Sequence, residues 1–134
     1  MDEKRIELLR TMGYSDKAIG FILHKTNVGE IKNPSVTAQN QGTCGDIMIL
    51  HLYIEQGRIK NAKYNCIGCA GLQAAASALT EMIKGLKLKD AEKINTKNIL
   101  DYLGGLPQQK HECALLASTT LQKALENYHP KETA

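Results

Sequence analysis

The chain has 134 residues, of which 43% are hydrophobic, 23% are charged and only 4% are aromatic. This length predicts one domain, and the scarcity of aromatic residues predicts an aliphatic core. The net charge of +3, from 17 basic and 14 acidic residues, is too mild for the concentrated basic face that nucleic acid requires. We therefore expect no nucleic-acid partner.

The N-terminal stretch MDEKRIELLRTMG is charged and lacks the apolar centre of a signal peptide. No window approaches the roughly 18 consecutive apolar residues that a membrane-spanning helix needs, so no membrane partner is expected. The expected location is the cytoplasm. In that reducing compartment, four cysteines are more typical of metal ligands or reactive thiols than of structural disulfides.

Two short helices and a long loop are predicted in the first third of the chain. Residues 2–12 read as an amphipathic helix that ends at Gly13. Ser15 is expected to cap a second helix, whose apolar stripe consists of Ala18, Ile19, Ile22 and Leu23. Residues 27–44 keep no period, which indicates a long loop with one edge strand near Val36.

The strongest strand signal is the run DIMILHLYI at residues 46–54. It is apolar on nearly both faces, so it is predicted to lie centrally in a sheet under helices. A short turn at residues 55–57 and an alternating run at residues 58–65 predict that a second strand returns beside it as a hairpin.

The remainder of the chain is predicted to be helical. An Ala-rich helix is expected at residues 72–84 and a short helix at 88–94. Thr96 is expected to cap the next helix, which ends at Gly104. The longest helix is predicted at residues 108–128, with a buried face formed by Leu115, Leu116, Leu121, Ala124 and Leu125. Strands come before helices without βαβ alternation, so the predicted class is α+β.

Three of the four cysteines lie at boundaries between the predicted elements. Cys44 precedes the central strand, Cys69 precedes the Ala-rich helix, and Cys113 lies in the first turns of the last helix. A helix N-terminus lowers the pKa of a thiol, an effect expected at Cys69 and more weakly at Cys113, which also has Lys110 one turn earlier. Gly68 and Gly71 are expected to let the backbone approach a bulky cofactor.

Asp46 is a candidate oxygen ligand beside these thiols. In extended backbone, residues i and i+2 point the same way, so Asp46 and Cys44 can face one site. Three sulfurs and one oxygen suit zinc or iron. His111 and Glu112 are further candidates for an exchangeable ligand or proton acceptor, but they point about 100° apart on a helix, so only one can face the site well.

The pair Cys66 and Cys69 forms a C-x-x-C motif that supports two other hypotheses. One is a thiol–disulfide oxidoreductase, which the absence of a βαβ framework and the idle Cys44 and Cys113 argue against. The other is a zinc-binding module in which all four cysteines are ligands, which the position of Cys66 at a strand end argues against.

The contexts of the cysteines resemble those of the NifU/IscU-type iron–sulfur cluster assembly scaffolds. The resemblance covers about residues 14–128, which leaves 1–13 as a helical extension and 129–134 as a flexible tail of one domain. The matching motifs occur in the order of the family: YSDKAI at 14–19, NVGEIKNP at 27–34, CGDIM at 44–48, GCAG at 68–71, TEMIKG at 80–85, LP at 106–107 with Lys110, and CALLA at 113–117.

The resemblance implies a fold and a function. The fold is a three-stranded antiparallel sheet with helices packed on one face. The implied function is that of a scaffold and carrier, not of an enzyme. A cysteine desulfurase delivers sulfur as a persulfide, iron joins it, and a transient [2Fe-2S] cluster forms on Cys44, Cys69 and Cys113 before transfer to apo-proteins. Asp46 assists assembly and release, and zinc can occupy the same site.

Three departures from the family pattern are visible. The family commonly has His directly before the third cysteine, where this chain has Glu112, so the fourth ligand stays open among Asp46, His111 and Glu112. The chaperone-recognition segment LPPVK reads LPQQK here, which leaves an Hsp70-type partner open. Cys66 takes a position that is usually not cysteine, and we interpret it as a bystander or an auxiliary thiol. The large insertion of the SufU branch is absent, and monomer and homo-oligomer both remain open.

Overall fold

Three strands and six α-helices make up the part of the chain that the computed structural model describes, which is residues 2–43 and 45–130. In chain order they are α1 (Asp2–Met12), α2 (Asp16–His24), β1 (Val36–Gln41), β2 (Ile47–Glu55), β3 (Arg58–Ile67), α3 (Ala70–Ile83), α4 (Leu88–Ala91), α5 (Thr96–Leu103) and α6 (His111–Asn127). A short 3-10 turn at Gln108–Lys110 leads into α6. No helix in the described ranges is long and apolar enough to cross a membrane.

The sheet is antiparallel with the order β1-β2-β3, so β2 is central as predicted. Gln56 and Gly57 connect β2 to β3 with φ of 54° and 73°. Positive φ at both positions is the geometry of a two-residue type I′ turn, which matches the twist of the paired strands. β3 extends two residues beyond the predicted strand and pairs Cys66 with Met48.

One face of the sheet is covered by helices. α6 packs on β1 and β2, and α3 packs on β3 and against α6. The side chains of β2 that point to this side, Met48, Leu50 and Leu52, are fully buried. These contacts confirm the α+β class and the three-stranded antiparallel sheet with helices on one face. The hydrophobic effect of burying these aliphatic side chains is the main favourable term for such a core.

A loop segment crosses the opposite face of the sheet. This crossing segment (residues 29–35) begins where the Gly29 N–H donates to the Tyr64 carbonyl and ends where the Ser35 N–H donates to the Leu52 carbonyl. It leaves Tyr53 38% exposed but covers His51, which is only 8% exposed. The predicted loop at 27–44 is therefore partly ordered by the sheet, and its later part is strand β1.

The ends of four helices differ from the prediction. α6 begins at His111, three residues later than predicted, because Gln108–Lys110 form the 3-10 turn before it. α3 begins at Ala70, two residues earlier than predicted, so Cys69 itself is the N-cap. The N-cap of α5 is Asn95 and not Thr96, because the Asn95 side chain accepts from the Asn98 N–H in a reciprocal capping box. α4 ends at Ala91, three residues short of the predicted helix.

The buried face of α6 was predicted with one error. Leu116, Leu121 and Ala124 are buried as predicted, and Leu125 is half-buried. Leu115 is 52% exposed, because the inward stripe of the helix starts at Cys113 and the next turn places Leu116 and Ala117 inward instead.

Candidate functional site

Asp46, Cys69 and Cys113 converge at one end of the sheet. A carboxylate oxygen of Asp46 and the two sulfurs all lie within 4.8 Å of one another. The Cys69 Sγ is 3.7 Å from Asp46 Oδ2 and 3.7 Å from the Cys113 Sγ. Cys44, the remaining predicted ligand, lies outside the described residues. The structure thus brings together the three predicted ligands that it describes.

Each ligand is positioned by a different element. Asp46 immediately precedes β2, where the β2–β3 register pairs Ile47 with Ile67 and so places Asp46 beside the turn into α3. Cys69 is the N-cap of α3 with extended backbone and makes no side-chain capping hydrogen bond, so its thiol is available to the site. Cys113 lies in the first turn of α6. α3 and α6 pack against each other, and the contact between Cys69 and Cys113 shows that their N-terminal turns meet.

Two glycines are needed for close approach by side chains of the protein. A Cβ at Gly68 would lie 2.8 Å from Asp46 Cγ and 2.9 Å from Asp46 Oδ2. A Cβ at Gly71 would lie 3.1 Å from the Cβ of Lys110. The neighbours that these two glycines accommodate in the structure are therefore the side chains of Asp46 and Lys110.

The two thiols of the site differ in their surroundings. Cys113 is only 5% exposed, and burial, with the nearby charges of Cys69 and Asp46 adding to it, raises the pKa of its thiol to about 12. The prediction of a lowered pKa at Cys113 is thus wrong, because desolvation of the thiolate outweighs the helix N-terminus and Lys110. Lys110 is the counter-charge of the site, since the negative charge of Cys69 is the largest cause that raises the lysine's pKa.

The thiols and the carboxylate open into a cleft of about 180 Å³. Of the described residues, those that line it are Asp46, Cys69, Gln109, Lys110, Glu112 and Cys113. Of the two residues before Cys113, Glu112 lines this cleft, whereas His111 is exposed and does not. The Thr43 hydroxyl donates to the Glu112 carboxylate at 3.3 Å, which ties the β1–β2 loop to the start of α6.

Cys66 lies next to the site but outside the three-residue group. It is half-buried and packs against the core, on the side of β3 that also carries the buried Tyr64. Burial, followed by the negative charges of Asp46 and Cys69, raises the pKa of its thiol. Among the residues that the structure describes, only Asp46, Cys69 and Cys113 have ligand atoms close enough to share one metal ion.

Tyr14 and Gln109 belong to this region but were not singled out from the sequence. Tyr14 is 4% exposed, and its pKa is raised by burial and by the charge of Cys69, while a hydrogen bond from the Gly71 backbone opposes this. Gln109 lines the cleft. Neither a tyrosine nor a glutamine marks a metal site in a sequence, because both residue types are common in loops and at the ends of helices.

The donor set mixes soft and hard ligands. Two sulfurs suit zinc or iron, and the carboxylate oxygen is the weaker ligand for both metals beside thiolates. Binding requires the thiols to lose their protons, so a metal ion offsets the cost of an anionic Cys113 in this buried position. The open cleft leaves one side of the group accessible to incoming ions and to other proteins.

Comparison with known proteins adds relatives in sequence and in fold. The family model described as the NifU-like N terminal domain matches residues 13–134. The iron–sulfur cluster assembly scaffold protein IscU of Azotobacter vinelandii is 36% identical over 126 residues, which cover 90% of this chain and 98% of the relative. IscU 1 of Archaeoglobus fulgidus is 36% identical over 119 residues, covering 88% of this chain and 78% of the relative.

A solved structure supports the same fold. The crystal structure of FiSufU from Fervidobacterium islandicum AW-1 superposes with a TM-score of 0.72 and 23% sequence identity, covering 84% of this chain and 96% of that one. At this identity the similarity concerns the fold alone.

Proposed function

Because this chain belongs to the family of the NifU-like N terminal domain, we propose that it is a scaffold on which an iron–sulfur cluster is assembled for other proteins. The observation that carries the proposal is the meeting of Asp46, Cys69 and Cys113 within 4.8 Å at the mouth of an open cleft. Relatives that are 36% identical over most of the chain and bear the name of such scaffolds support it.

The cluster is the cargo of the scaffold, and we assign its ligands as Cys44, Cys69, Cys113 and Asp46. Asp46 is preferred to His111 and Glu112 as the oxygen or nitrogen ligand, because only its carboxylate lies in the group with the two sulfurs. A carboxylate beside thiolates is the ligand most easily displaced. This ligand set holds a [2Fe-2S] cluster long enough for assembly and releases it to an acceptor.

Cys69 is proposed as the thiol that receives sulfur from a cysteine desulfurase. Its thiolate attacks the outer sulfur of the enzyme's persulfide, the enzyme's thiolate leaves, and Cys69 carries the new S–S bond. Cys69 lines the cleft and is partly exposed, whereas Cys113 is 5% exposed and cannot meet a large partner first. Lys110 stabilises the attacking thiolate, since the negative charge of Cys69 is the largest cause that raises the pKa of Lys110.

The same donor set explains why zinc can occupy the site in place of the cluster. The four-cysteine zinc module and the C-x-x-C oxidoreductase both require Cys66 to act with Cys69. We propose instead that Cys66 is auxiliary, because its sulfur is outside the group of ligand atoms.

Anaerobic reconstitution of paired variants tests this assignment. The protein is incubated with ferrous iron, cysteine and a cysteine desulfurase, and cluster formation is followed by visible absorbance and by iron and sulfide analysis. We expect Cys66→Ser to form the cluster as the wild type does, and Cys69→Ser to form at most a tenth as much. Equal loss in both variants, or no cluster in the wild type, would overturn the proposal.

A further inference from the structure

The sulfurs of Cys69 and Cys113 are in direct contact. The two atoms are 3.7 Å apart, and formation of a disulfide requires them to approach to about 2.05 Å. Rotation of the two side chains has to supply this difference. Both residues lie at the N-terminal ends of helices that pack against each other.

The two thiols also differ in the way that redox-active pairs require. Cys69 lines the cleft and is partly exposed, so a small molecule can reach it. Cys113 is only 5% exposed, so it is shielded from molecules in solution but not from Cys69. An accessible attacking thiol next to a buried resolving thiol favours an internal disulfide over a lasting mixed disulfide.

We propose that Cys69 and Cys113 form a redox switch, in which a low-molecular-weight disulfide oxidises the pair and closes the metal site. The consequence for metal binding rests on the proposed function, whereas the chemistry of the pair does not. A disulfide sulfur is no longer a thiolate, so the oxidised site loses two of its ligands at once. A dithiol reductant restores them.

The exchange proceeds in two balanced steps. The Cys69 thiolate attacks one sulfur of a disulfide RSSR, forms the mixed disulfide Cys69–S–S–R and releases RS⁻. The Cys113 thiol then passes its proton to the RS⁻ released in the first step and attacks the Cys69 sulfur, forming the Cys69–Cys113 disulfide and releasing a second RS⁻. Two protein thiols are oxidised, and one small-molecule disulfide is reduced to two thiols.

Cys66 provides a matched control within the same chain. It is a neighbouring cysteine with a half-buried side chain, but it lies in the β3 ladder opposite Met48 and outside the contact group. An indiscriminate reaction of the C-x-x-C motif would link Cys66 to Cys69. The proposed switch links Cys69 to Cys113 and leaves Cys66 reduced.

The test uses metal-free, reduced full-length protein treated with oxidised glutathione. Peptide mapping under non-reducing conditions is expected to find the Cys69–Cys113 disulfide in the wild type and in Cys66→Ser. Cys113→Ser should stop at glutathione on Cys69, and Cys69→Ser should leave the buried Cys113 unmodified. Because Cys113 is buried, Cys69→Ser is the second variant that keeps the test valid if Cys113→Ser does not fold.

Cobalt binding gives the functional readout. Oxidation should raise the Co²⁺ dissociation constant at least tenfold, and dithiothreitol should reverse the change. A predominant Cys66–Cys69 or Cys44-containing disulfide, or a stable mixed disulfide on wild-type Cys69, would overturn the switch. The mapping needs no iron and no desulfurase, so a failed reconstitution with an intact disulfide result rejects only the scaffold function.

Discussion

Gly68 determines where the carboxylate of Asp46 can lie. No side chain at position 68 fits beside it, since a Cβ there would be 2.8 Å from Asp46 Cγ and 3.0 Å from Leu72 Cδ2. Gly68→Ala should therefore push Asp46 away from the two sulfurs. We expect the Co²⁺ dissociation constant of the reduced protein to rise about tenfold, equivalent to about 1.4 kcal/mol. Titration followed by the thiolate-to-cobalt absorption measures it.

Gly20→Ala is the matched control for this substitution. Gly20 lies inside α2, and no heavy atom is within 4 Å of the position that an alanine Cβ would take, so the methyl group meets only open space. Gly20→Ala should leave cobalt binding unchanged. It should raise the free energy of unfolding by about 0.5–1 kcal/mol, because glycine loses more backbone entropy than alanine when it enters a helix. Unchanged affinity in Gly68→Ala would show that the position of Asp46 does not matter for metal binding.

At the residue scale, the sequence predicted which side chains lie close together better than it predicted their chemical state. Element boundaries placed Cys69 and Cys113 at helix starts, and both helix starts do meet in the structure. The pKa of Cys113 was predicted to fall and is instead raised, because burial depends on packing between α6 and its neighbours. The pattern of apolar residues shows where a helix starts, but it does not show how deeply that start is buried in the fold.

The crossing segment and strand β2 together enclose an unusual histidine. His51 is buried, its Nδ1 contacts the Thr37 hydroxyl at 3.2 Å, and its Nε2 has no hydrogen-bond partner among the described residues. Burial lowers the pKa of His51 below 6.5, while the negative charge of Glu30 in the crossing segment opposes the shift. An added proton is therefore costly in the folded state.

This arrangement makes the stability of the fold sensitive to pH. Because the folded-state pKa lies below the unfolded value of 6.5, the unfolded chain binds the proton more readily. The contribution of neutral His51 is complete above about pH 6.5 and is lost as the pH falls from there towards the folded pKa. Urea unfolding of the metal-free protein between pH 5 and 8 should show this decline.

His51→Gln should flatten that decline, since glutamine does not titrate. His24→Gln is the control, because His24 is exposed on α2 and should leave the wild-type dependence in place. An identical pH dependence in the wild type and His51→Gln would contradict the role of the buried imidazole.

At the element scale, periodicity was sufficient to predict that each helix and strand exists, but it was not sufficient to predict where all of them begin and end. α3 starts at Ala70 with Cys69 as its N-cap, shortly after the β3 ladder, which runs through Ile67 by a pairing that the sequence of β3 alone does not reveal. The crossing segment has no period of its own, and its path is set by hydrogen bonds to Tyr64 and Leu52, which are distant in sequence. Such long-range contacts are beyond local pattern reasoning.

In the whole molecule, the helices that cover one face of the sheet also deliver two thiols to the same end. α3 and α6 each place a cysteine in or before the first turn, and the β2–β3 hairpin places Asp46 between them. The α+β class followed from the order of strands and helices in the sequence. The central position of β2 and its hairpin with β3 followed from the residue pattern, whereas the antiparallel three-stranded sheet with helices on one face followed from the resemblance to the family.

We propose that the site holds a cluster only in transit and that Asp46 is the ligand displaced first. Removal of this carboxylate leaves the cluster on the thiolates without its exchangeable oxygen ligand. Asp46→Ala should therefore retain a more persistent cluster and transfer it at least several-fold more slowly than the wild type.

The most direct measurement is cluster transfer from the reconstituted scaffold to an apo [2Fe-2S] acceptor protein, followed under anaerobic conditions by circular dichroism in the visible range. We expect the wild type to lose its cluster as the acceptor gains one in equal amount, and Asp46→Ala to do so more slowly. A wild-type cluster that does not move to the acceptor, or a faster loss from Asp46→Ala, would contradict the account.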